Sequence, residues 1–568
     1  MLRRALSSIL QPFYRKQPDI LSAAVLLSIF TLASRILGLV RDRALAQFFS
    51  ESKIGLYFAA FRLPDTLFEI LILGTLSAAF IPTFISYISK GKKKEAWEVT
   101  ATVMNLTLIF FLALAAIIFF FAYPFSRLLA PGFSVEELGL MASMTRILLI
   151  AQGFFVLSLF LTGILKSFQR FLVPAIAPLF YNLGIIAGIF LLAGKLGIYA
   201  PVWGAVGGAF IYFAIHLPLA FHLGFRFTPS LNIFHPGVRK IINLAAPRTL
   251  EIGFWQILET SDLFFSSLIS TASYGYFTFA SHLATIPVSL FGTSLADAAL
   301  PALSYQQKNL KQFRETFLTT FRQIIFLVAF FAVALIILRV PAVRLAFGTR
   351  RFTWESTVAT GYALSAFAVG IVAQALTSLL VKSFYALSDT LTPVKVGVGT
   401  VLVNITLSAC FILVLKTPVW GIAFAFALAN ILQMVVLACL LAAKAGIALW
   451  QMIYPLLKVG IASFFSGGTM YVLLKVLDRS AWDRRLSFLG YLTLPERFEK
   501  FVLDTRYTVN VIILTVVVAA VGIAVYLLAA KLLRIKELSL IHELSSRLPG
   551  LAKVTPPPQA TGEESELA

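Results

Sequence analysis

The sequence predicts an all-α polytopic membrane protein of about fourteen transmembrane helices. We expect two pseudo-symmetric six-helix lobes around a central cavity, followed by two C-terminal helices. Three observations support this fold class. Of 568 residues, 59% are hydrophobic and only 13% are charged, whereas soluble domains carry roughly 25% charged residues. Apolar stretches of about 20 residues, enough to cross a ~30 Å hydrocarbon core, recur throughout. Short segments also recur between the two halves of the chain.

The apolar stretches are too long and too uniform for the strands of a membrane β-barrel, which alternate polar and apolar residues over about 10 positions. Their approximate bounds, uncertain by a few residues, are 21–45, 55–88, 100–123, 140–166, 173–194, 200–223, 238–270, 274–303, 320–340, 358–386, 393–415, 418–443, 451–477 and 508–533.

The net charge of +21 would suggest nucleic-acid binding in a soluble protein. Here the basic residues cluster in alternate short loops, as the positive-inside rule predicts for cytoplasmic loops. An even number of spans then places both termini in the cytoplasm. One loop, with Arg344, Arg350 and Arg351, disagrees because it falls on the outer side. Cys410 and Cys439 lie in apolar segments and indicate neither a disulfide framework nor a metal site.

We divide the chain into a basic interfacial segment (1–20), an N-lobe with spans 1–6 (21–225), a C-lobe with spans 7–12 (226–445), and spans 13 and 14 (446–535). The last region carries a polar insertion at 479–506. A cytoplasmic tail follows at 536–568, and its proline-rich and acidic end indicates partial disorder.

An internal repeat relates the two lobes. Lys166-Ser167-Phe168 is echoed by Lys382-Ser383-Phe384 at an offset of 216 residues, and Arg127-Leu128 by Arg344-Leu345 at an offset of 217. Because each half holds an even number of spans, both halves have the same orientation. A substrate site between two such halves is a recurring plan for alternating-access transporters.

Several motifs resemble the MurJ/MviN family, the lipid II flippases of the MOP exporter superfamily. They run in the family's order from about residue 20 to 440: Ser34 to Asp42 (SRILGLVRD), Ala60 to Pro64 (AFRLP), Ala79 to Pro82 (AFIP), Ala130 to Phe133 (APGF), and Asp389 to Lys395 (DTLTPVK).

The resemblance implies a V-shaped pair of lobes around a cavity, and a groove for the lipid tail formed by spans 13 and 14. It implies a multi-pass protein of the bacterial cytoplasmic (inner) membrane that acts in peptidoglycan biosynthesis. The expected partners are a lipid-linked sugar, membrane lipids and the cell-wall synthesis machinery, with no nucleic acid.

Charged residues in the first span are candidates for substrate binding, since a charge at mid-membrane costs about 2.5–3.5 kcal/mol and needs a reason. Arg35, Gly38 and Asp42 share one helix face, with Ser34 beside it. Arginine suits a diphosphate because its guanidinium forms two parallel hydrogen bonds with phosphate oxygens. With the family's pattern, we predict a substrate-binding set of Ser34, Arg35, Arg41, Asp42, Arg62 and His282. In the alternative interpretation the first span's charges support packing or reach the membrane interface.

The chain departs from the family's pattern at cavity positions. Phe68 stands where the family usually has arginine, and Glu69 where it usually has a basic residue. His282 replaces an arginine in span 8, and the charge of histidine depends on pH. The chain is therefore a divergent member by resemblance, with fewer permanent positive charges in its cavity.

Asp262 in span 7 and Asp389 before span 11 match positions where some family members bind sodium, and carboxylates suit such a hard cation. The resemblance thus suggests a sodium site, the only cofactor we expect. Asp389 also begins an Asp-Thr-x-Thr-Pro pattern, which is typical of a helix cap.

The leading functional hypothesis is a lipid II flippase that works by alternating access. Alternatives are an exporter of another polyprenyl-linked glycan, a cation-coupled drug or solute antiporter, and a non-transporting scaffold for cell-wall assembly. We do not expect an enzyme, because the sequence contains no phosphate-binding glycine loop, metal-ligand spacing or nucleophile motif.

Overall fold

A computed structural model describes residues 20–73, 79–479, 502–505 and 507–539. Over these ranges the chain is helical apart from turns, short loops and one isolated bridge between Asp478 and Leu503. The predicted all-α polytopic fold is confirmed. Three predicted segments lie mostly outside the described residues. They are the N-terminal segment (1–20), the polar insertion (479–506) and the C-terminal tail (536–568).

Eight α-helices are described in the first half of the chain. They are α1 (Ile20–Phe48), α2 (Glu51–Phe68), α3 (Ile81–Ser89), α4 (Lys93–Phe120), α5 (Ala122–Leu129), α6 (Val135–Ser167), α7 (Leu172–Leu196) and α8 (Tyr199–His222).

Ten α-helices are described in the remainder. They are α9 (Pro236–Ser267), α10 (Thr271–Pro287), α11 (Ser294–Tyr305), α12 (Leu310–Ile337), α13 (Arg339–Phe347), α14 (Trp354–Ala386), α15 (Leu391–Ala409), α16 (Trp420–Ala445), α17 (Trp450–Leu477) and α18 (Thr508–Leu532). Short π-helical turns occupy Glu69–Leu73, Val288–Thr293 and Cys410–Val414.

Eleven helical segments of the described chain are long and apolar enough to cross a membrane. Three further segments correspond to predicted spans but fall short of that composition: α1, the region of α2 and α3, and α9. These three carry Arg41, Arg62 and Asp262, charged residues that a simple hydropathy criterion penalises. The count of fourteen stays a prediction.

Packing repeats between the two halves. α6 packs on α8 as α14 packs on α16, α7 packs on α8 as α15 packs on α16, and α1 packs on α7 as α9 packs on α15. The equivalent short helices α5 and α13 follow the same scheme on α6 and α14. Two pseudo-symmetric lobes, as the repeat predicts, are therefore present.

The short helices α5 and α13 were not expected as separate elements. Each has a proline, Pro124 or Pro341, as its third residue. A proline in the first turn is tolerated because the backbone N–H groups there have no partner within the helix. Each proline therefore marks a new helix start just after a long span ends, which the apolar run alone does not reveal.

The last two long helices lie outside the repeat and pack on each other and on α12. Ser466 Oγ donates to the carbonyl oxygen of Gly522 at 2.8 Å, and Tyr526 Oη donates to that of Phe326 at 2.7 Å. The first of these buried hydrogen bonds joins α17 to α18, and the second attaches α18 to α12 of the C-lobe. Hydrogen bonds between membrane helices supplement van der Waals packing.

Candidate functional site

A cavity of about 440 Å³ lies between the lobes. The N-lobe contributes residues of α1, α2, the adjoining π-helical turn, α6 and α7, and the C-lobe contributes residues of α9 and α10. The lining residues are Arg41, Tyr57, Phe58, Phe61, Arg62, Asp65, Phe68, Glu69, Gln152, Phe155, Tyr181, Glu259, Tyr274, Thr278 and His282.

Arg41 enters this cavity already paired. Its Nη2 and Nε donate to Asp42 Oδ1 at 2.8 and 3.0 Å, and its Nη1 donates to Asn182 Oδ1 at 3.3 Å. Asp42 is only 1% exposed, and its Oδ2 accepts from His282 Nδ1 at 2.7 Å. Because a carboxylate only accepts hydrogen bonds, Nδ1 is the protonated nitrogen of that ring. Asp42 therefore joins an N-lobe arginine to a C-lobe histidine.

Ser34 contacts this cluster through Asn182. Asn182 Nδ2 donates to Ser34 Oγ at 3.2 Å, while the amide oxygen of Asn182 accepts from Arg41. Ser34 is not among the residues that line the cavity. Its contact orients the amide that supports the arginine, so the structure gives it a positioning role.

Arg62 forms a second link between the lobes. Its side chain is 6% exposed, and its guanidinium donates to the carboxylate of Glu259 and to the amide oxygen of Gln256 on α9. The amide nitrogen of Gln256 in turn donates to Glu69. One arginine thus ties α2 to α9, and Glu69 is bound into the same network.

Asp65 adds a further carboxylate to the cavity. It lies less than one turn after Arg62 on α2, and its Oδ1 accepts from Gln152 Nε2 at 2.6 Å. The other amide atom of Gln152, Oε1, is buried without a hydrogen-bond partner.

A second chamber of about 430 Å³ adjoins the first and shares Glu259, Tyr274, Thr278 and His282 with it. Its further lining residues are Trp255, Leu258, Asp262, Phe277, Ser281, Thr285, Phe367, Gln374 and Phe426. The second chamber is therefore lined by C-lobe helices alone and adjoins the cavity between the lobes.

The charge balance of the two chambers departs from the expected basic cavity. The lining residues include two arginines and four carboxylates, namely Asp65, Glu69, Glu259 and Asp262. Both arginines already hold carboxylate partners. A bound anion must therefore either displace a carboxylate or use the N–H donors that the carboxylate leaves free, since a guanidinium has five donors in a fixed plane.

The structure brings three of the predicted binding residues to the cavity wall: Arg41, Arg62 and His282. Arg35 lies one to two turns before Arg41 on α1, is only partly buried, and lines neither chamber. Asp42 does not face the open space either, because it is buried between Arg41 and His282. Three of the six residues thus face the open cavity, and the substrate-binding role of all six stays a prediction.

The two carboxylates of the predicted sodium site have different surroundings. Asp389 Oδ2 binds Lys444 Nζ at 2.5 Å, and its oxygens accept from the backbone and hydroxyl of Thr392 at 3.1 and 2.9 Å. The hydrogen bond from Lys444 lowers the pKa of Asp389 to about 2. Asp389 therefore caps α15, as the alternative interpretation has it.

Asp262, by contrast, lines the second chamber, where Asp389 is not a lining residue. Among the described residues, no group of three His, Cys, Asp or Glu side chains could hold a metal ion. The sodium site of Asp262 and Asp389 stays a prediction, and we derive no transport step through sodium.

Three residues of the site were not predicted from the sequence: Asp65, Gln152 and Gln256. One signal was available for Asp65, which follows Pro64 within an otherwise apolar stretch next to Arg62. The glutamines give no such signal, because their importance comes from partners on other helices.

The sequence matches the family described as "Lipid II flippase MurJ" over residues 44–493. It is 27% identical over 396 residues to a probable lipid II flippase MurJ of Buchnera aphidicola, covering 68% of this chain and 77% of that protein. It is 26% identical over 402 residues to a lipid II flippase MurJ of Burkholderia cenocepacia, covering 68% and 77%.

Solved structures show the same fold. A lipid II flippase MurJ in an inward closed conformation superposes with a TM-score of 0.72 at 24% identity, covering 89% of this chain and 98% of that one. An inward-facing multidrug resistance transporter of the MATE family and MOP superfamily gives a TM-score of 0.60 at 17% identity, covering 75% and 98%.

Proposed function

This chain belongs to the MurJ family of lipid II flippases, and from that premise we propose that it carries lipid II, the undecaprenyl-diphosphate-linked peptidoglycan precursor, across the membrane by alternating access. The observation that carries the proposal is the cavity between the lobes, into which Arg41 and Arg62 both reach. Two arginines facing one cavity suit the two phosphates of a lipid diphosphate.

Binding proceeds by exchange of partners. In this structure, Glu259 binds the guanidinium of Arg62 and Asp42 binds that of Arg41. Glu259 is 56% exposed, so it can leave Arg62 and be solvated, whereas buried Asp42 cannot. A diphosphate therefore displaces Glu259 and adds to Arg41 through that arginine's remaining donors.

This exchange couples binding to movement of the lobes. Arg62 belongs to α2 and Glu259 to α9, so displacement of Glu259 removes a link between N-lobe and C-lobe. A ligand shifts a conformational equilibrium only through its different affinity for the two states. The diphosphate has such a difference in affinity if it binds Arg62 only in the state in which Glu259 has left that arginine.

The protein resides in the bacterial cytoplasmic membrane with both termini in the cytoplasm, in this proposal. The basic loops support that orientation through the positive-inside rule. The substrate then enters from the inner leaflet and leaves to the outer leaflet, where the cell-wall synthesis machinery receives it.

Complementation tests the proposal. In a bacterium depleted of its own flippase, the wild-type chain should restore growth, whereas Arg41→Ala and Arg62→Ala should fail because each removes a phosphate-binding group. Arg226→Ala is the matched control, since Arg226 is exposed in the loop between the lobes and lines neither chamber. Membrane fractions must contain equal amounts of each variant.

Two results would contradict these assignments. Full rescue by both cavity variants would remove Arg41 and Arg62 from substrate binding. If the wild-type chain is present in the membrane at a normal level but does not restore growth, lipid II is not its substrate.

A further inference from the structure

The second chamber has a different chemical character from the first. Five aromatic side chains line it, namely Trp255, Tyr274, Phe277, Phe367 and Phe426. Three of them form a continuous wall: the ring centroids of Phe277 and Phe367 are 5.0 Å apart, and those of Phe367 and Phe426 are 5.5 Å apart. Aromatic faces carry partial negative charge and attract cations.

The charged lining of this chamber is acidic. Glu259 and Asp262 lie three residues apart on α9, and among the described residues that line the chamber none is lysine or arginine. Glu259 is bound by Arg62 at the boundary between the chambers. No basic side chain among the described residues forms an ion pair with Asp262.

Within the described part of the chain, Oδ1 of Asp262 has no hydrogen-bond partner. Its side chain is 5% exposed, and its Oδ1 is buried with no donor in reach. A buried carboxylate oxygen without a donor is costly, so the site is complementary to a group that brings positive charge and N–H donors. A metal ion fits less well, because hard cations prefer a shell of oxygen ligands over aromatic rings.

We propose that this chamber binds a primary ammonium group carried by the translocated lipid-linked peptide. The inference rests on the proposed function: the diphosphate occupies Arg41 and Arg62 while the ammonium group binds Asp262 between the aromatic rings. The chambers share four lining residues, so one substrate can reach both. The site thus selects substrates with opposite charges at their two ends.

Binding to the purified full-length chain in lipid nanodiscs tests this site. The probes are lipid II with a free side-chain amine and the same lipid acetylated at that amine. The wild type should bind the free amine at least tenfold more tightly, because acetylation removes the charge. Asp262→Asn should bind both lipids equally, at the weaker affinity, while Asp262→Glu should keep part of the preference.

Asp297→Asn is the matched control. Asp297 is also an acidic residue of the C-lobe, but it is 63% exposed, binds Lys382 and lines neither chamber. This variant should keep the full tenfold preference. Its loss in Asp297→Asn would overturn the assignment, because the preference would then follow overall charge.

The remaining outcomes separate the two proposals. If the wild type binds both lipids equally, the ammonium site is wrong while the flippase proposal stands. If it binds neither lipid, the flippase proposal fails; binding of free cadaverine that depends on Asp262 would then assign the chamber to a soluble amine and overturn its role in lipid recognition.

Discussion

Asp42 shows how a single residue serves both lobes. It accepts hydrogen bonds from Arg41 of α1 and from His282 of α10 while almost completely buried. Removing one partner of a buried ion pair costs about 3–5 kcal/mol, because the other charge is left without compensation. The carboxylate therefore fixes the arginine at the cavity wall and prevents it from leaving toward the membrane interface.

Asp389 provides a pH test at the residue scale. Because Lys444 lowers its pKa to about 2, the carboxylate stabilises the fold fully above the unfolded pKa of about 3.9. That stabilisation is lost as the pH falls through about 2. Asp389→Ala should therefore lower the thermal unfolding midpoint equally at pH 5.5 and pH 7.5, by removal of a helix cap worth about 1 kcal/mol.

The measurement is thermal unfolding in detergent followed by tryptophan fluorescence. Asp389→Asn is the control, because asparagine also caps helices but cannot form the ion pair with Lys444. It should lie between the wild type and the alanine variant. The difference between wild type and Asp389→Ala should also shrink as the pH falls from 5.5 toward 2.5, and a difference that stays constant over that range would contradict the lowered pKa.

The sequence predicted charged residues in the cavity but not which arginine reaches it. Helical spacing places Arg35 and Asp42 on one face, yet Arg41, about 100° away from Asp42, lines the cavity. The spacing of residues along a helix determines which of them share a face. It does not determine whether that face contacts the cavity or another helix, because this depends on helices distant in sequence. Asn182, which supports Arg41, is 141 positions away.

At the scale of elements, α7 and α8 pack more closely than ordinary side chains allow. A Cβ atom added at Gly204 would lie 2.6 Å from the carbonyl oxygen of Gly184, and one at Gly188 would lie 2.6 Å from that of Ala200. Small residues permit such close backbone approach in membrane helices, where van der Waals packing drives association. The two helices of this hairpin thus depend on glycine at their contact.

Two glycines of α8 give a matched test of this contact. Gly204→Ala should destabilise the protein by about 1–3 kcal/mol, since the added methyl group meets backbone rather than a movable side chain. At Gly207, three residues later, an added Cβ meets nothing within 4 Å. Gly207→Ala should be neutral or slightly stabilising because alanine favours helix.

Thermal unfolding of both variants in the same detergent provides the comparison. Equal midpoints for Gly204→Ala and Gly207→Ala would show that the α7–α8 contact can relax without cost. A lower midpoint for Gly204→Ala alone supports the close packing.

Hydropathy predicted the long helices well, and their ends less well. Ser294–Tyr305, for example, continues the span that begins at Thr271, after an intervening π-helical turn. A π-helical turn is a local change of hydrogen-bonding pattern within a helix, and the hydropathy of the sequence does not reveal it. Such turns and the short helices α5 and α13 arise from local backbone geometry that periodicity does not record.

On the scale of the whole molecule, the two lobes are joined tightly at one end. Glu51 of α2 accepts hydrogen bonds from Tyr276 Oη at 2.5 Å and from the backbone N–H of Thr353 at 3.2 Å, and also binds Ser356. Thr349 Oγ1 donates to the carbonyl oxygen of Ala46 at 2.7 Å. In the predicted orientation this end faces outward, so the structure is closed toward the outer side.

The repeat predicted two lobes, but it could not predict at which end the two lobes are in contact. One sequence must support both an outward-closed and an inward-closed arrangement, so local patterns are compatible with either. Glu51 and its partners are more than 200 positions apart in the sequence. Only the folded chain therefore shows whether these contacts are formed, that is, whether the lobes are closed at this end.

Alternating access requires this outer junction to open in every cycle. In a background with Cys410→Ser and Cys439→Ser, which removes the two exposed native thiols, Glu51→Cys and Ser356→Cys can be joined by a short bifunctional thiosulfonate. Cross-linking should abolish lipid II translocation, and a reductant should restore it, because the lobes must separate here to release the substrate outward. Translocation is measured as lipid II that becomes accessible to an impermeant enzyme.

Cross-linking within one lobe provides the control for this experiment. Lys92→Cys and Glu95→Cys lie close together, since the native side chains form an exposed ion pair of 2.9 Å at the start of α4. The same reagent should join them without loss of translocation, because neither residue crosses the lobe junction. If the Glu51–Ser356 cross-link also leaves translocation intact, the outer junction need not open, and the substrate must leave by a route other than between the lobes.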